Sequence, residues 1–255
     1  MTSKSPIDWS KVKVLSFDVF GTLIEQDEGQ YAALMSSPLG PHLRGSRDEV
    51  LGPFKKQERS LQEQKPSMKQ SKIIAQAIRN YASDLGLVPD TLTKAQVEEA
   101  AAACGHSMGE WPPFPDTIDA MNRLGRHFKL AALSNVDRET FARVCNGPLK
   151  DMHWDATYLA EDIGSYKPSL KNFGYQIARC DKDFGADMVE GVHVANSLEH
   201  DHAPSKEIGY TSVWIDRQNR SKDTDSKEHM KEWGYVSRYR TLGELADIVD
   251  AALSD

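Results

Sequence analysis

From residue 113 onward, short apolar runs alternate with helical stretches, and several runs stop on a polar side chain. Residues 128–133, 154–159, 192–195 and 212–215 read as strands, and residues 11–17 supply an earlier one. Between them, residues 116–124, 138–145, 168–179, a stretch from about residue 204, and 241–253 carry helical spacing. Strands separated by helices pair in parallel, because a parallel neighbour requires a crossover and the crossover is usually a helix. The expected fold class is therefore α/β: a Rossmann-like parallel sheet covered on both faces. Ligands of such sheets bind beyond the carboxyl ends of the strands. Asp18 follows the first strand, Ser134 and Asn135 the second, and Asn196, Ser197 and then Asp201 the run 192–195. Lys167 lies on a loop ahead of a helix, and Gly21 permits a tight turn after Asp18.

Residues 27–111 break the alternation. No strand is evident there, while Ile73, Ile74, Ala77, Ile78, Tyr81 and Leu85 mark one helical face that Gly86 stops. Residues 93–103 are rich in Ala and Glu and read as a further helix. The expected organisation is an α/β core of residues 1–25 and 113–255, with an inserted helical cap domain at about 26–112. Trp111-Pro112-Pro113-Phe114-Pro115 forms its exit. Residues 217–232 read as a polar surface loop, and Thr241 with Glu244 as a capping box opening the last helix.

The 255 residues suffice for a sizeable core, and 39% apolar with 27% charged residues is ordinary globular usage. No 18-residue apolar run is present, so no membrane helix is expected. A net charge of −7 disfavours general nucleic-acid binding. The opening residues, Met1 to Pro6, are polar with no apolar stretch behind them, so no secretory signal is expected. Three scattered cysteines fit a reducing, cytoplasmic setting.

A carboxylate at a strand end beside a turn of backbone N–H groups suits a nucleophile, although an Asp there is more often a turn residue. Four features in order sharpen the choice: Asp18-x-x-x-Thr22, Leu133-Ser134-Asn135, Tyr166-Lys167-Pro168, and the segment from His193 to Asp201. With these the chain resembles the haloacid dehalogenase (HAD) superfamily from Lys11 to about Arg217. Its Trp214-Ile215-Asp216-Arg217 segment is similar to the type II 2-haloacid dehalogenase branch. The resemblance implies a hydrolase in which Asp18 is the nucleophile and forms a covalent ester, and Thr22 holds the turn. It implies that Lys167 balances charge beside Asp18, and that Asp201 orients water or Lys167. Phe20, Ser134, Asn135, Asn196 and Ser197 would line the site of a small anionic substrate. The branch carries a cap Arg that grips the substrate carboxylate; Lys55 is the candidate here and Arg59 the fallback, neither reproducing that pattern. Phe173 stands where the branch has Tyr, and Leu198 where it has Asn.

Position 20 separates two chemistries. Phosphatases of the superfamily carry an Asp there as general acid and base, whereas Phe20 holds no proton. Losing such a group lowers rate by about 10²- to 10⁴-fold. An alkoxide leaving group needs that proton and a halide does not. The expectation is thus halide displacement from a 2-haloacid, without a metal or other cofactor. A Mg²⁺-dependent phosphatase of a small metabolite is the alternative, and a non-catalytic carboxylate-binding relative is a third reading. Gly105-His106-Ser107-Met108-Gly109 matches a serine-hydrolase motif, but that motif belongs between a strand and a helix, so a helix end capped by Gly105 is expected instead. Glu199-His200-Asp201-His202 reads as a polar loop rather than a metal site. The apolar cap helices offer a homodimer contact that nothing in the sequence specifies.

Overall fold

The computed structural model describes residues 6–218 and 227–254. Six parallel strands form one sheet in the order β3-β2-β1-β4-β5-β6. They are β1 Val14–Phe17, β2 Lys129–Ser134, β3 Ala156–Leu159, β4 Gly191–Ala195, β5 Ser212–Ile215 and β6 Ser237–Tyr239. The chain starts in the middle at β1, builds outward through β2 and β3, then returns to the other flank of β1 with β4. That reversal opens a crevice at the carboxyl ends of β1 and β4, where doubly wound sheets place their ligands.

The chain divides into two compact units. One comprises residues 6–24, Pro113–Ser134 and the described residues from Asp151 onward; it contains the sheet. Here α5 (Thr117–Leu124) and α11 (Leu242–Leu253) share a core with Leu15, Phe17, Val192 and Val194. Side chains alternate along a strand, so Val14, Ala131 and Leu133 face the other side, where Phe173 and Cys180 of α8 (Leu170–Phe184) cover them. Each fully buried side chain of this kind contributes about 1.5–3 kcal/mol. Ser16 and His193 also point to the α8 face, and both are fully buried. The shorter helices of this unit are α7 (Ala160–Ile163), α9 (Ala203–Ile208) and α10 (Lys227–Trp233).

The second unit comprises Glu25–Pro112 and Asn135–Lys150. It holds α1 (Gln26–Ser36), α2 (Arg47–Gln64), α3 (Gln70–Asp84), α4 (Lys94–Ser107) and α6 (Arg138–Asn146), with no strand. The segment after β2 joins it through specific contacts. Asp137 caps α6 and accepts from the Ser71 N–H, and Arg143 bonds the His106 carbonyl and Glu110.

Several boundaries differ from the sequence reading. The first strand is shorter, since Trp9–Lys11 forms a helical turn that buries the Trp9 ring. β3 begins at Ala156 and α8 at Leu170, two residues beyond Pro168. The 217–232 stretch is no loop throughout: α10 occupies its end, while residues 219–226 lie outside the described residues, as do Met1 to Ser5. Ser237–Tyr239 adds an edge strand too short and too polar to show a period. Thr241 does accept from the Glu244 N–H, but the Glu244 carboxylate turns back to the Arg240 N–H, so only half of the capping box forms.

Residues 105–109 sit within and just after α4, with no strand before Ser107. Gly105 is not the cap that its type suggests. It lies inside the helix, where a Cβ would come within 2.7 Å of the Ser71 carbonyl of α3. Glycine there permits close helix packing. Gly105→Ala gains about 0.5–1 kcal/mol of helix propensity but forces a backbone shift of the kind that costs about 1–3 kcal/mol. We expect net destabilisation by chemical denaturation; a variant more stable than wild type would show that the contact yields freely.

Candidate active site

Asp18 continues the β1–β4 ladder, its N–H donating to Val194 O at 3.1 Å. The chain then turns tightly: the N–H groups of Thr22, Leu23 and Ile24 converge on the Val19 carbonyl, and Gly21 takes a φ of +89°. This turn brings Thr22 back to the carboxylate it follows. Thr22 Oγ1 donates to Asp18 Oδ2 at 2.7 Å and accepts from the Asn196 N–H at 2.9 Å. One hydroxyl thus ties the β1 turn to the end of β4.

Lys167 reaches the same carboxylate from the loop before α8. Its Nζ donates to Asp18 Oδ1 at 2.8 Å, to Asp201 Oδ1 at 2.6 Å and to the Leu133 carbonyl at 2.9 Å. Three acceptors match the three donors of an ammonium. Asp18 is 8% exposed, Lys167 2% and Asp201 1%, so water screens the group little. Asp201 is carried by a π-helical turn, Leu198–His202, whose first residue follows Ser197. Such turns aim a side chain that an α-helix would misplace.

Burial pushes the Asp18 carboxyl above the usual aspartate range; Lys167 and Thr22 oppose this and Asp201 adds to it. Burial acts the same way on Asp201, but Lys167 and His193 outweigh it and hold Asp201 well below that range. Burial would neutralise Lys167, yet the two carboxylates raise it above the usual lysine value. Asp18 is therefore the one member of the triad whose anionic form the fold disfavours.

The other sequence candidates fall in several places. Ser134 ends β2 with Oγ buried and without a hydrogen-bond partner among the described residues, and Asn196 Oδ1 and Asp201 Oδ2 share that state. Phe20 is half-buried in the turn. Ser197 Oγ accepts from the His200 N–H and caps the π-turn. Asn135 opens the segment that belongs to the helical unit. Lys55, also in that unit, pairs with Asp27 at 2.6 Å, and Arg59 is exposed. The segment 199–202 is not a polar loop. His202 is fully buried, bonded to Ser212 Oγ and the Ala195 carbonyl, and burial lowers its pKa to about 4.

Three residues of the surroundings escaped the sequence reading. His193 Nε2 lies 2.9 Å from Asp201 Oδ1 and its Nδ1 2.9 Å from Ser16 Oγ; Gln176 Nε2 donates to Ser16 Oγ at 2.8 Å. The available signal was a polar residue inside each of two otherwise apolar strands. Ser16 and His193 are register partners. Phe173 is fully buried, with its ring edge-on to that of His193 at 5.4 Å.

A parallel sheet of this order, an aspartate at the end of its central strand and a lysine bridging it to a second carboxylate define an α/β hydrolytic core. The profile of the haloacid dehalogenase-like hydrolases matches residues 12–195. The chain belongs to that family and is a hydrolase of its type. No curated protein matches the sequence. Among solved structures, the L-2-haloacid dehalogenase PA0810 is similar at 20% identity and a TM-score of 0.70, over 92% of this chain and 98% of that one. The defluorinating L-2-haloacid dehalogenase Rha0230 gives 14% and 0.73, over 98% and 99%. The Xanthobacter autotrophicus L-2-haloacid dehalogenase with chloropropionic acid covalently bound gives 16% and 0.70, over 93% and 98%. At these identities the likeness is one of fold. No helix among the described residues is long and apolar enough to cross a membrane.

Removing the lysine tests the electrostatics. Lys167→Met leaves two buried carboxylates without their cation and should destabilise the protein by about 3–5 kcal/mol near neutral pH. The deficit should shrink as pH falls, because protonation removes the uncompensated charge. In the wild type, the raised pKa of Lys167 gives stability below its unfolded value that is lost as pH rises through the folded one. The lowered Asp201 gives stability above its unfolded value that is lost as pH falls through the folded one. A deficit under about 1 kcal/mol in denaturant titrations at neutral pH would mean that the triad is held by packing alone.

Proposed function

We propose that this hydrolase displaces halide from a small 2-haloacid through a covalent ester on Asp18. The observation that carries the reading is the Lys167 ammonium between Asp18 and Asp201, together with phenylalanine at position 20 of the turn that follows Asp18. A carboxylate oxygen of Asp18 attacks C2 as the carbon–halogen bond breaks, and halide leaves with the bonding pair. Water then adds at Asp18 Cγ, the Cγ–O bond to the substrate breaks, and the 2-hydroxy acid departs with one of the original carboxylate oxygens. Over the cycle one water is consumed, and halide and one proton are released.

Charge supports this assignment. Before attack, two buried carboxylates share a single ammonium, which leaves Asp18 the less stable anion. Alkylation removes the Asp18 charge and leaves Lys167 and Asp201 as a balanced pair. The first step thereby relieves the repulsion between the carboxylates. Asp201 Oδ2, buried and unpartnered among the described residues, offers an acceptor for the hydrolytic water.

The reaction so written uses no magnesium, because Lys167 supplies the positive charge beside Asp18. Mg²⁺ takes hard oxygen ligands in near-octahedral order. Asp18 accepts from Lys167 and Thr22 and Asp201 Oδ1 from Lys167, while Asp201 Oδ2 and Asn196 Oδ1 have no partner among the described residues. Among the described residues no three His, Cys, Asp or Glu side chains are grouped to hold a metal.

The test is halide release from 2-chloropropionate enantiomers and haloacetates, in EDTA and with added Mg²⁺. We expect multiple turnovers in both conditions, no release by Asp18→Asn, and ¹⁸O in the Asp18 peptide after a single turnover in labelled water. The raised Asp18 pKa predicts that activity falls on the acid side at a pH above the ordinary aspartate value of 3.8. Mg²⁺-dependent phosphate release from a phosphate-ester panel, without halide release, would replace this reading with the phosphatase one. Ligand binding without any turnover would replace it with a binding role.

A further inference from the structure

Beneath the triad a line of polar side chains runs through the apolar face between the sheet and α8. Its members are Asp201, His193, Ser16, Gln176 and Tyr210, all nearly or fully buried. Strand interiors of this family of sheets hold aliphatic side chains, and the neighbours here are Val14, Ala131, Leu133 and Phe173. Burying polar groups among them is unfavourable unless each is hydrogen-bonded. Gln176 Oε1 has no partner among the described residues, and the remaining bonds can run in one direction along the line.

Gln176 Nε2 has two protons and no lone pair to offer, so it donates to Ser16 Oγ at 2.8 Å and to Tyr210 Oη at 3.2 Å. Ser16 Oγ, accepting from Gln176, turns its own proton to His193 Nδ1 at 2.9 Å. His193 Nδ1 is then an acceptor, and its proton sits on Nε2, 2.9 Å from Asp201 Oδ1. Asp201 Oδ1 accepts from His193 and from Lys167 together. Phe173, edge-on at 5.4 Å, holds the imidazole plane, and the Ser16–His193 register fixes its height in the sheet.

We propose that His193 is a positioning residue of the hydrolytic site, acting through Asp201. By donating from Nε2 it fixes the Asp201 carboxylate in one orientation. One oxygen is thereby directed at Lys167, and the other is left open. Lys167 owes its place between the two carboxylates to that orientation, because a free Asp201 would rotate and offer it a second geometry. The residue touches neither substrate nor the reacting oxygen. The inference rests on the ester mechanism proposed above for its kinetic consequence, whereas the tautomer is a property of the resting protein.

Two readouts test it on the full-length protein. The ¹⁵N spectrum of the histidines, with His193 assigned by substitution, should show Nε2 protonated and Nδ1 bare at pH 7.5. A bare Nε2, or protons on both nitrogens, overturns the inference whatever the activity. In halide-release kinetics His193→Leu should lower kcat by at least about 100-fold with KM within about threefold. His193→Gln, whose amide places an N–H near the Nε2 position, should recover at least tenfold of that loss. If His193→Leu does not fold, Ser16→Ala serves. It should remain folded, mix the two His193 tautomers and lower kcat by about tenfold. Unchanged kcat in a folded His193→Leu or Ser16→Ala variant overturns the role, as does a loss that His193→Gln fails to restore. Absence of halide release by the wild type defeats the ester mechanism and the kinetic role with it, while the spectrum still distinguishes that failure from a wrong tautomer.

Discussion

One ammonium held between two buried carboxylates organises the core unit. Lys167 arrives from the loop before α8, Asp18 from the end of β1 and Asp201 from a π-turn after β4, and with the Leu133 carbonyl of β2 four separate segments meet on three hydrogen bonds. No single one of these charges would be tolerated alone in so dry a place. The carboxylates keep the lysine charged, and Asp201 needs the lysine to stay ionised. Asp18 is left as the strained partner, because its negative charge is one more than the cation can balance. A site built this way stores its reactivity in electrostatics rather than in bent backbone.

The sheet explains why these segments can meet. β1 lies at the centre of the strand order, and the chain leaves it toward β2 and later returns on its other side with β4. Strand ends from both excursions therefore flank Asp18. Thr22 converts that proximity into a fixed geometry, since one hydroxyl bonds both the Asp18 carboxylate and the Asn196 N–H. Hydrophobic side chains cover the two faces of the sheet, and the polar triad lies at the strand ends.

Much of this was legible in the sequence, for identifiable reasons. Buried strands such as Val192 to Ala195 have no amphipathic pattern, but their short length and flanking helices mark them, and the polar residues that end them mark the crevice. The long helical stretch declared itself through the 3.6-residue spacing around Ile73 to Tyr81. What could not be read was long-range. Ser16 and His193 are 177 residues apart and meet only through strand register. Asp201 is placed by a π-turn that local spacing does not announce, so a buried acid looked like part of a polar loop. Gly105 looked like a helix end because the carbonyl that excludes a side chain there belongs to another helix. Asn135 was marked by its place after a strand and Lys55 by resemblance; both belong to the helical unit, Lys55 beside Asp27 and Asn135 at the head of the α6 segment.

The membership of residues 135–150 in the helical unit has an engineering consequence. That unit is assembled from two separate stretches, so the backbone passes between the units four times, after residues 24, 112, 134 and 150. A chimera that exchanges only the stretch from 25 to 112 would strip α6 of the partners it now has, among them Ser71 for Asp137 and Glu110 for Arg143. Exchanging the helical unit for a foreign one thus means transplanting both stretches as one module.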